Sequence, residues 1–250
     1  PLYSSAASDV YKRQERDRYP AFRIPTVCIP ASIDNNLPGS ELSIGTDTAL
    51  NVIVEAMDKI KESGIASRRC FVVETMGRDC GYLALMSGIA AGAERIYTNE
   101  DGISLDDLAN DVHWLRESFA HGRRLFLAVR NENASHNYTT DFIARLLEEE
   151  SHGMYDVRQV VLGHMQQGGS PSPFDRLLAN RLGYRALNLI DDELAAHQDG
   201  SWFIGVNESG MRPCSMDTMP SLVDAAHRRP REQWWLQLRT IARMVSDEVR

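Results

Sequence analysis

Apolar and polar positions along the chain fall into two periods. Thr26–Ile29 (TVCI) is a short β-prone run that stops at Pro30. The stretch Ser32-Ile33-Asp34-Asn35-Asn36-Leu37-Pro38-Gly39 that follows is a loop by composition, because Asp, Asn, Pro and Gly favour turns. Asp47 and Thr48 then open a helix. Ala49, Ile53, Ala56, Met57 and Ile60 fall at i, i+4, i+7, i+8 and i+11, and Gly64 supplies a stop. Cys70–Thr75 is a compact apolar strand ending at Met76-Gly77-Arg78. Leu83–Ala93 predicts a helix with small residues on its packing face, and Leu105–Phe119 an amphipathic helix behind Ser104 as its cap. Arg124–Arg130 reads as a buried strand and Thr140–Glu150 as a helix capped by Thr139 or Thr140. Gln159–Leu162 reads as a strand running into Gly163-His164. Pro220 to Pro230 is polar and connective, and Arg231–Met244 predicts a final amphipathic helix carrying Trp234 and Trp235.

Strands and helices thus alternate with short connections. Unbroken apolar strands suggest burial on both faces, hence an α/β fold with a mostly parallel sheet covered by helices. In such sheets ligands sit beyond the carboxyl ends of the strands. Four polar clusters occupy those places here: SIDNN, MGR, the stretch around Glu132, and GHMQQGG. No internal repeat or heptad pattern is present.

Composition narrows the class. Asp and Glu number 35 against 27 Lys and Arg, a formal net charge of −8. That argues against a nucleic-acid coat or a basic membrane-surface protein, while leaving room for a local basic pocket. No apolar run reaches the roughly 18 residues of a membrane span. Neither nucleic acid nor membrane is expected as a partner. Cys28, Cys70, Cys80 and Cys214 form no CxxC pair, and 250 residues can bury a core without disulfides, so a reducing, cytoplasmic compartment is expected. The head, Pro1–Gln14, reads PLYSSAASDVYKRQ and has no secretory apolar region. Its DVYKRQ is also what the bases of a transposon mosaic-end adaptor encode. Residues 1–14 are therefore expected to be an adaptor artefact, the biological chain to begin near Glu15, and residues 1–22 to lie outside the fold.

The clusters suggest chemistry. Asp34, in a Pro/Asn/Gly loop at a strand end, is placed to accept a proton from a substrate hydroxyl or to ligate a metal. Its carboxylate can equally close an Asx-turn on nearby N–H groups. Arg78, after Met76-Gly77, can fork onto a phosphate that glycine lets approach, or it can lie in a surface ion pair. Arg69 stands just before a strand. Arg158 and His164 flank another strand and are expected on the same rim. Glu132, just past a strand, can accept hydrogen bonds from sugar hydroxyls. Each of these residues also has an ordinary structural reading when taken alone. Gly168-Gly169-Ser170-Pro171 is similar to a phosphate-cradling loop but lacks both GxxxxGK[ST] and GxGxxG. Together, one carboxylate base, three arginines, a histidine and an anion-friendly loop point to a phosphorylated, hydroxyl-bearing substrate. No His/Cys set has metal-ligand spacing.

Pro30–Gly39 (PASIDNNLPG), Gly45–Glu55 (GTDTALNVIVE), Val73–Arg78 (VETMGR) and Val161–Arg176 (VLGHMQQGGSPSPFDR) resemble the 6-phosphofructokinase family in order and spacing. The likeness runs from about Arg23 to about Ser246. Arg130–Asn133, Asn137–Phe142 and Glu232–Trp235 look like the C-terminal half of the duplicated eukaryotic-type chain. The resemblance implies a phosphofructokinase-type α/β fold, with parallel-rich sheets sandwiched by helices in two α/β subdomains, the first incomplete. About 46–166 would bind the sugar phosphate. Residues 23–45 and about 167–220 would be the remainder of the nucleotide side, and 221–250 a C-terminal helix region. The implied reaction moves the γ-phosphoryl of ATP onto the 1-hydroxyl of fructose 6-phosphate, with Mg²⁺, in a glycolytic, allosteric homo-oligomer of the tetramer type. By the same resemblance Asp34 is the base, and Ser32 stands where a Thr contacts the reacting phosphoryl. Arg78 is the active-site arginine beside Met76 and Gly77, which hold the sugar, and Glu132 is the sugar-hydroxyl acceptor. Arg158, Arg69 and His164 are 6-phosphate ligands, the counterpart of Arg69 reaching in from a neighbouring subunit.

Two positions depart from the pattern. Asn36 stands where the family's loop usually carries a second Asp, and Gln167 where it usually carries a 6-phosphate arginine. A lost charge-assisted phosphate contact costs about 1.5–3 kcal/mol, and a lost general base roughly 10²–10⁴ in rate. Here the base is kept and the clamp weakened. A non-catalytic half that binds a sugar-phosphate effector is therefore a second reading. A pyrophosphate-dependent enzyme is a third, and Ala31, where such relatives usually carry Lys, favours ATP over it. The family's Gly-Gly-Asp phosphate loop precedes its TIDND-like loop, and nothing similar precedes Thr26. The chain is thus expected to be an N-terminally truncated fragment, inactive alone, with the ATP and Mg²⁺ sites mostly upstream.

Overall fold

The computed structural model describes residues 15, 18–64 and 67–245; the expected adaptor head, 1–14, lies outside them. In chain order the elements are β1 (Thr26–Cys28), α1 (Thr46–Gly64), β2 (Arg69–Thr75), α2 (Tyr82–Ala91), β3 (Arg95–Tyr97), α3 (Leu105–Ala120), β4 (Leu125–Asn131) and α4 (Thr140–Glu149). Then come β5 (Asp156–Val161), α5 (Pro173–Ala195), β6 (Ser201–Asn207), β7 (Gly210–Ser215), α6 (Met219–Leu222), β8 (Val223–Asp224), β9 (Arg229–Pro230) and α7 (Arg239–Val245). They fall into two compact units. Of the described residues, one unit comprises those up to 47 with 171–234, and the other those of 48–170 with 235–245. No helix among the described residues is long and apolar enough to cross a membrane.

The unit 48–170 with 235–250 is built on a sheet of order β3-β4-β2-β5, parallel throughout. The strands are apolar on both faces because both are covered. Cys70 and Val72 of β2, Phe126 and Ala128 of β4 and Val157 of β5 form one cluster with Leu108, Leu115 and Phe119 of α3 and Ile143 and Leu147 of α4. The alternate residues Phe71, Val73, Leu127 and Val129 are buried on the opposite face. There Gly88 of α2 lies against Ile96, the register partner of Val129. The predicted face of α1 is the buried one: Ala49, Ile53 and Met57 are within 1 % of full burial. Ser104 caps α3 in a reciprocal capping box with Asp107, and Thr139 accepts the Phe142 N–H at the head of α4.

The unit 1–47 with 171–234 carries a three-stranded sheet of order β1-β6-β7, with β1 parallel to β6 and β6 antiparallel to β7. Leu178 and Leu182 of α5 pack on Ile204 of β6. Ser172 caps α5 by accepting the Asp175 N–H, and Pro173 follows in the first turn, where its missing N–H is harmless. Gly205 lets the loop before α1 press onto β6, since a Cβ there would stand 1.8 Å from the Gly39 carbonyl oxygen.

Several expected boundaries are corrected. β5 starts at Asp156 rather than Gln159 and ends before Leu162. It is an edge strand, so Asp156 and Arg158 alternate outward and mask the pattern. The final helix begins at Arg239 rather than Arg231, because Trp234–Leu238 take a tighter 3-10 turn that brings buried Trp235 edge-on to Tyr82, 5.8 Å between centroids. The connective stretch Pro220–Pro230 contains the small β8–β9 ribbon. The pattern assigns no element to Pro173–Ala195, which is a helix with apolar residues on more than one face: Leu178 and Leu182 are buried, Leu177, Tyr184 and Leu187 exposed.

Candidate functional site

One candidate cluster is the loop after β1, in the unit 1–47 with 171–234. Ser32 Oγ accepts the Asp34 N–H at 3.2 Å and donates to Asn36 Oδ1 at 3.0 Å. The turn is therefore organised by the serine hydroxyl. Asn35 adopts a left-handed φ of 52°, a conformation asparagine tolerates better than most residues. Its side chain donates to the Glu41 carbonyl at 2.7 Å and accepts the Ser43 N–H at 2.8 Å. Thr46 Oγ1 donates to the Ser32 carbonyl, and the Gly45 N–H donates to Asp175 Oδ1. Asp34, Asn35 and Asn36 are all buried. Asp34 is thus a buried carboxylate on a loop braced at both ends.

A separate cluster lies in the other unit, at the carboxyl ends of β2, β4 and β5. Gly77 has a φ of 130°, and a Cβ there would stand 2.4 Å from the Cys80 carbonyl oxygen. Only glycine fits, and the chain turns sharply enough to place Arg78 in a left-handed conformation with a φ of 50°. The Arg78 N–H donates to Glu132 Oε1 at 2.7 Å, while the Glu132 N–H donates to the Thr75 carbonyl at 2.9 Å. The loops after β2 and β4 are thus clasped together. The third loop is joined to them by Gln166, whose Oε1 accepts the Met76 N–H at 3.1 Å and whose Nε2 donates to the Gly163 carbonyl. His164 and Gln167 are exposed on the same 3-10 turn, Gly163–Gln167. Beneath the clasp, Arg130 is 2 % exposed and ion-paired with Glu74 at 2.8 Å. Burial pulls its guanidinium below the usual arginine range, and Glu74 opposes that shift.

Met76, Gly77, Arg78, Glu132, His164 and Gln167 are therefore brought onto three adjoining loops. Arg69 and Arg158 are not. Arg69 opens β2, and Arg158 pairs with Phe71 two residues further along the sheet, so both stand near the amino ends of parallel strands. The expectation that Arg158 shares a rim with His164 is corrected: Arg158 is the third residue of β5, whereas His164 lies on the turn beyond its last residue. Residues 69 and 75 are separated by most of the 7-residue β2, about 20 Å at roughly 3.3 Å per residue. Arg69 Nη1 reaches the Ser63 carbonyl at 3.4 Å, and Arg158 Nη1 the Val157 carbonyl at 3.0 Å. Ser32 and Asp34 belong to the other unit.

The motif reading missed Gln166 and Asn131. Gln166 is 1 % exposed, yet its neighbour Gln167 looks the same in sequence. Asn131 is fully buried under the Met76–Cys80 turn, its Nδ2 2.9 Å from where a Cβ on Gly77 would lie; its place as the last residue of a strand was the available signal. Among the described residues no group of three or more His, Cys, Asp or Glu side chains could hold a metal ion.

The family model described as Phosphofructokinase matches residues 4–190. The platelet-type ATP-dependent 6-phosphofructokinase of Rattus norvegicus is 42% identical over 241 residues, which are 92% of this chain and 31% of the relative. The human muscle-type enzyme is 43% identical over 242 residues, again 31% of its length. The chain spans about a third of the length of these curated relatives. The phosphofructokinase structure from Saccharomyces cerevisiae superimposes with a TM-score of 0.90 at 36% identity, covering 96% of this chain and 33% of that one. A pyrophosphate-dependent phosphofructokinase from Marinobacter aquaeolei, at 18% identity and a TM-score of 0.64 over 92% of this chain and 62% of that one, shares the fold. On its α/β fold and this extent of matching, the chain belongs to the phosphofructokinase family.

Proposed function

We propose that this chain carries the sugar-phosphate grip and the proton-accepting aspartate of an ATP-dependent 6-phosphofructokinase, converting ATP and fructose 6-phosphate to ADP and fructose 1,6-bisphosphate. The carrying observation is the clasp of Arg78 on Glu132, with the His164 turn tied in through Gln166, at the carboxyl ends of adjacent parallel strands. In this reading Asp34 takes the 1-hydroxyl proton as that oxygen bonds to the γ-phosphorus of ATP, and the bond to the ADP oxygen breaks. Asp34 is buried, and the Ser32 hydroxyl holds its backbone N–H. Met76 and Gly77 seat the sugar, and Arg78 offers its guanidinium to the transferring phosphoryl oxygens. Glu132 accepts from sugar hydroxyls, and His164, with Gln167 as a neutral substitute, meets the 6-phosphate. Arg69 and Arg158 serve the 6-phosphate of another copy, which makes the working form an oligomer. Phosphoryl transfer depends mainly on such positioning and charge neutralisation. Mg²⁺ accompanies the ATP phosphates and finds no ligand set among the described residues. ATP as donor follows the ATP-dependent relatives and Ala31, and the cytoplasm follows from the glycolytic reaction and the free cysteines.

Gln167, in place of a phosphate-binding arginine, favours a second reading: a half-site that binds a sugar-phosphate effector without turnover. Asp34→Ala, in a clone carrying the natural upstream sequence, separates the two. The first reading expects turnover to fall by roughly 10²–10⁴ with fructose 6-phosphate binding kept. Unchanged turnover would select the effector reading, and turnover with pyrophosphate but not ATP would overturn the donor.

A further inference from the structure

The guanidinium of Arg130 is buried beneath the clasp and bonded at all three of its nitrogens. It lies in register with Glu74 on the neighbouring strand and pairs with it at 2.8 Å. Nε donates to the Tyr138 carbonyl at 3.2 Å, Nη1 to the Glu132 carbonyl at 3.0 Å and to Thr140 Oγ1 at 3.4 Å, and Nη2 to the Ser135 carbonyl at 2.6 Å. Thr140 in turn donates to Glu74. One planar fork therefore gathers three carbonyls of the loop between β4 and α4 and the first residue of α4. Holding a strand-end core together does not require this: a buried ion pair can often be exchanged for apolar side chains of equal volume without loss of stability. What apolar side chains cannot do is satisfy those three carbonyls.

We propose that Arg130 is a positioning residue for the sugar site, the latch that sets the Glu132 carboxylate; this rests on the functional reading above. Glu132 is held at its backbone nitrogen by Thr75 and at its carbonyl by Arg130. With both ends of its peptide frame fixed, the direction in which its side chain leaves the backbone is set, and from there Oε1 accepts the Arg78 N–H. Lysine keeps the charge opposite Glu74 but is a point donor, and it cannot fork across carbonyls spread from 132 to 138. The substitution therefore loosens the loop without removing the buried countercharge.

The test uses Arg130→Lys beside Glu132→Gln, in a clone carrying the natural upstream sequence, with steady-state kinetics in fructose 6-phosphate and ATP. Amide hydrogen exchange is followed on peptides covering 76–81 and 131–139. Arg130→Lys is expected to raise the KM for fructose 6-phosphate at least tenfold, leave kcat and the KM for ATP within twofold, and speed exchange in those peptides alone. A parental KM in Arg130→Lys beside a raised KM in Glu132→Gln overturns the latch and leaves the functional reading standing. A parental KM in Glu132→Gln removes the sugar role of Glu132. Exchange at 76–81 then decides the latch by itself, unchanged exchange overturning it and faster exchange supporting it. If Arg130→Lys does not fold, the charge-free pair Glu74→Gln with Arg130→Gln carries the same readouts.

Discussion

Gly77→Ala puts the smallest possible side chain at the tightest point of the clasp. The new Cβ would stand 2.4 Å from the Cys80 carbonyl oxygen and 2.9 Å from Asn131 Nδ2, both inside the 3.0 Å that real Cβ atoms respect. The first neighbour is backbone, and Asn131 is fully buried beneath it, so neither swings aside freely. A φ of 130° adds a conformational penalty of its own, on the order of 1–3 kcal/mol for a side-chain-bearing residue. Overpacking adds roughly 1–3 kcal/mol more. If the turn keeps its shape, the unit loses about 2–6 kcal/mol, a fall in Tm of roughly 5–20 °C for a unit of this size. If the turn relaxes instead, the Arg78 N–H leaves Glu132, and the cost moves from stability to sugar-phosphate affinity. Thermal unfolding and calorimetric titration with fructose 6-phosphate, run on the same variant, capture both routes. A variant that melts within a degree of the parent and binds the sugar phosphate equally well would refute the steric reasoning.

Two further outcomes concern stability. Ser172→Ala removes the cap of α5 and the 2.5 Å hydrogen bond that the serine hydroxyl donates to Asp47; urea unfolding should show a loss of about 1–3 kcal/mol, and an unmoved midpoint would show that water replaces both bonds. Burial raises the Glu94 carboxyl above its usual range, against the Leu127 N–H and Arg123 that favour the charged form. The folded state therefore holds this proton more tightly than the unfolded chain, so stability is fullest below the ordinary value of 4.5 and declines as pH rises through the raised folded value. Glu94→Gln should flatten that decline in a series of urea midpoints, and a profile identical to the parent's would refute the assignment.

What the chain shows in one dimension follows the strength of its periodicity. α1, α3 and α4 are readable because one apolar face coincides with an end signal: Gly64 closes α1, Ser104 caps α3 and Thr139 caps α4. α5 is hidden because apolar residues occur on both its buried and its exposed sides, which erases the period. β3 has only 3 residues, too few to alternate. The rim itself is legible, since parallel strands deliver their following residues to one end and the clusters at 76–78, 132 and 163–167 follow strands. Arg158 is expected on that rim although it precedes the apolar run that His164 follows, and residues on either side of one strand stand at its opposite ends. Gln166 and Gln167 are equivalent in sequence, and only the 3-10 turn decides which one faces inward.

The two ends of the parallel sheet hold different cations, Arg78 at one and Arg69 with Arg158 at the other. Along β2, Arg69 stands six residues from Thr75, about 20 Å, and Arg158 is level with Phe71, four residues from it, about 13 Å. A small ligand gripped by both Arg69 and Arg78 would therefore draw on two copies of the chain. Ligand binding and chain pairing would then be linked equilibria, and apparent affinity would weaken on protein dilution.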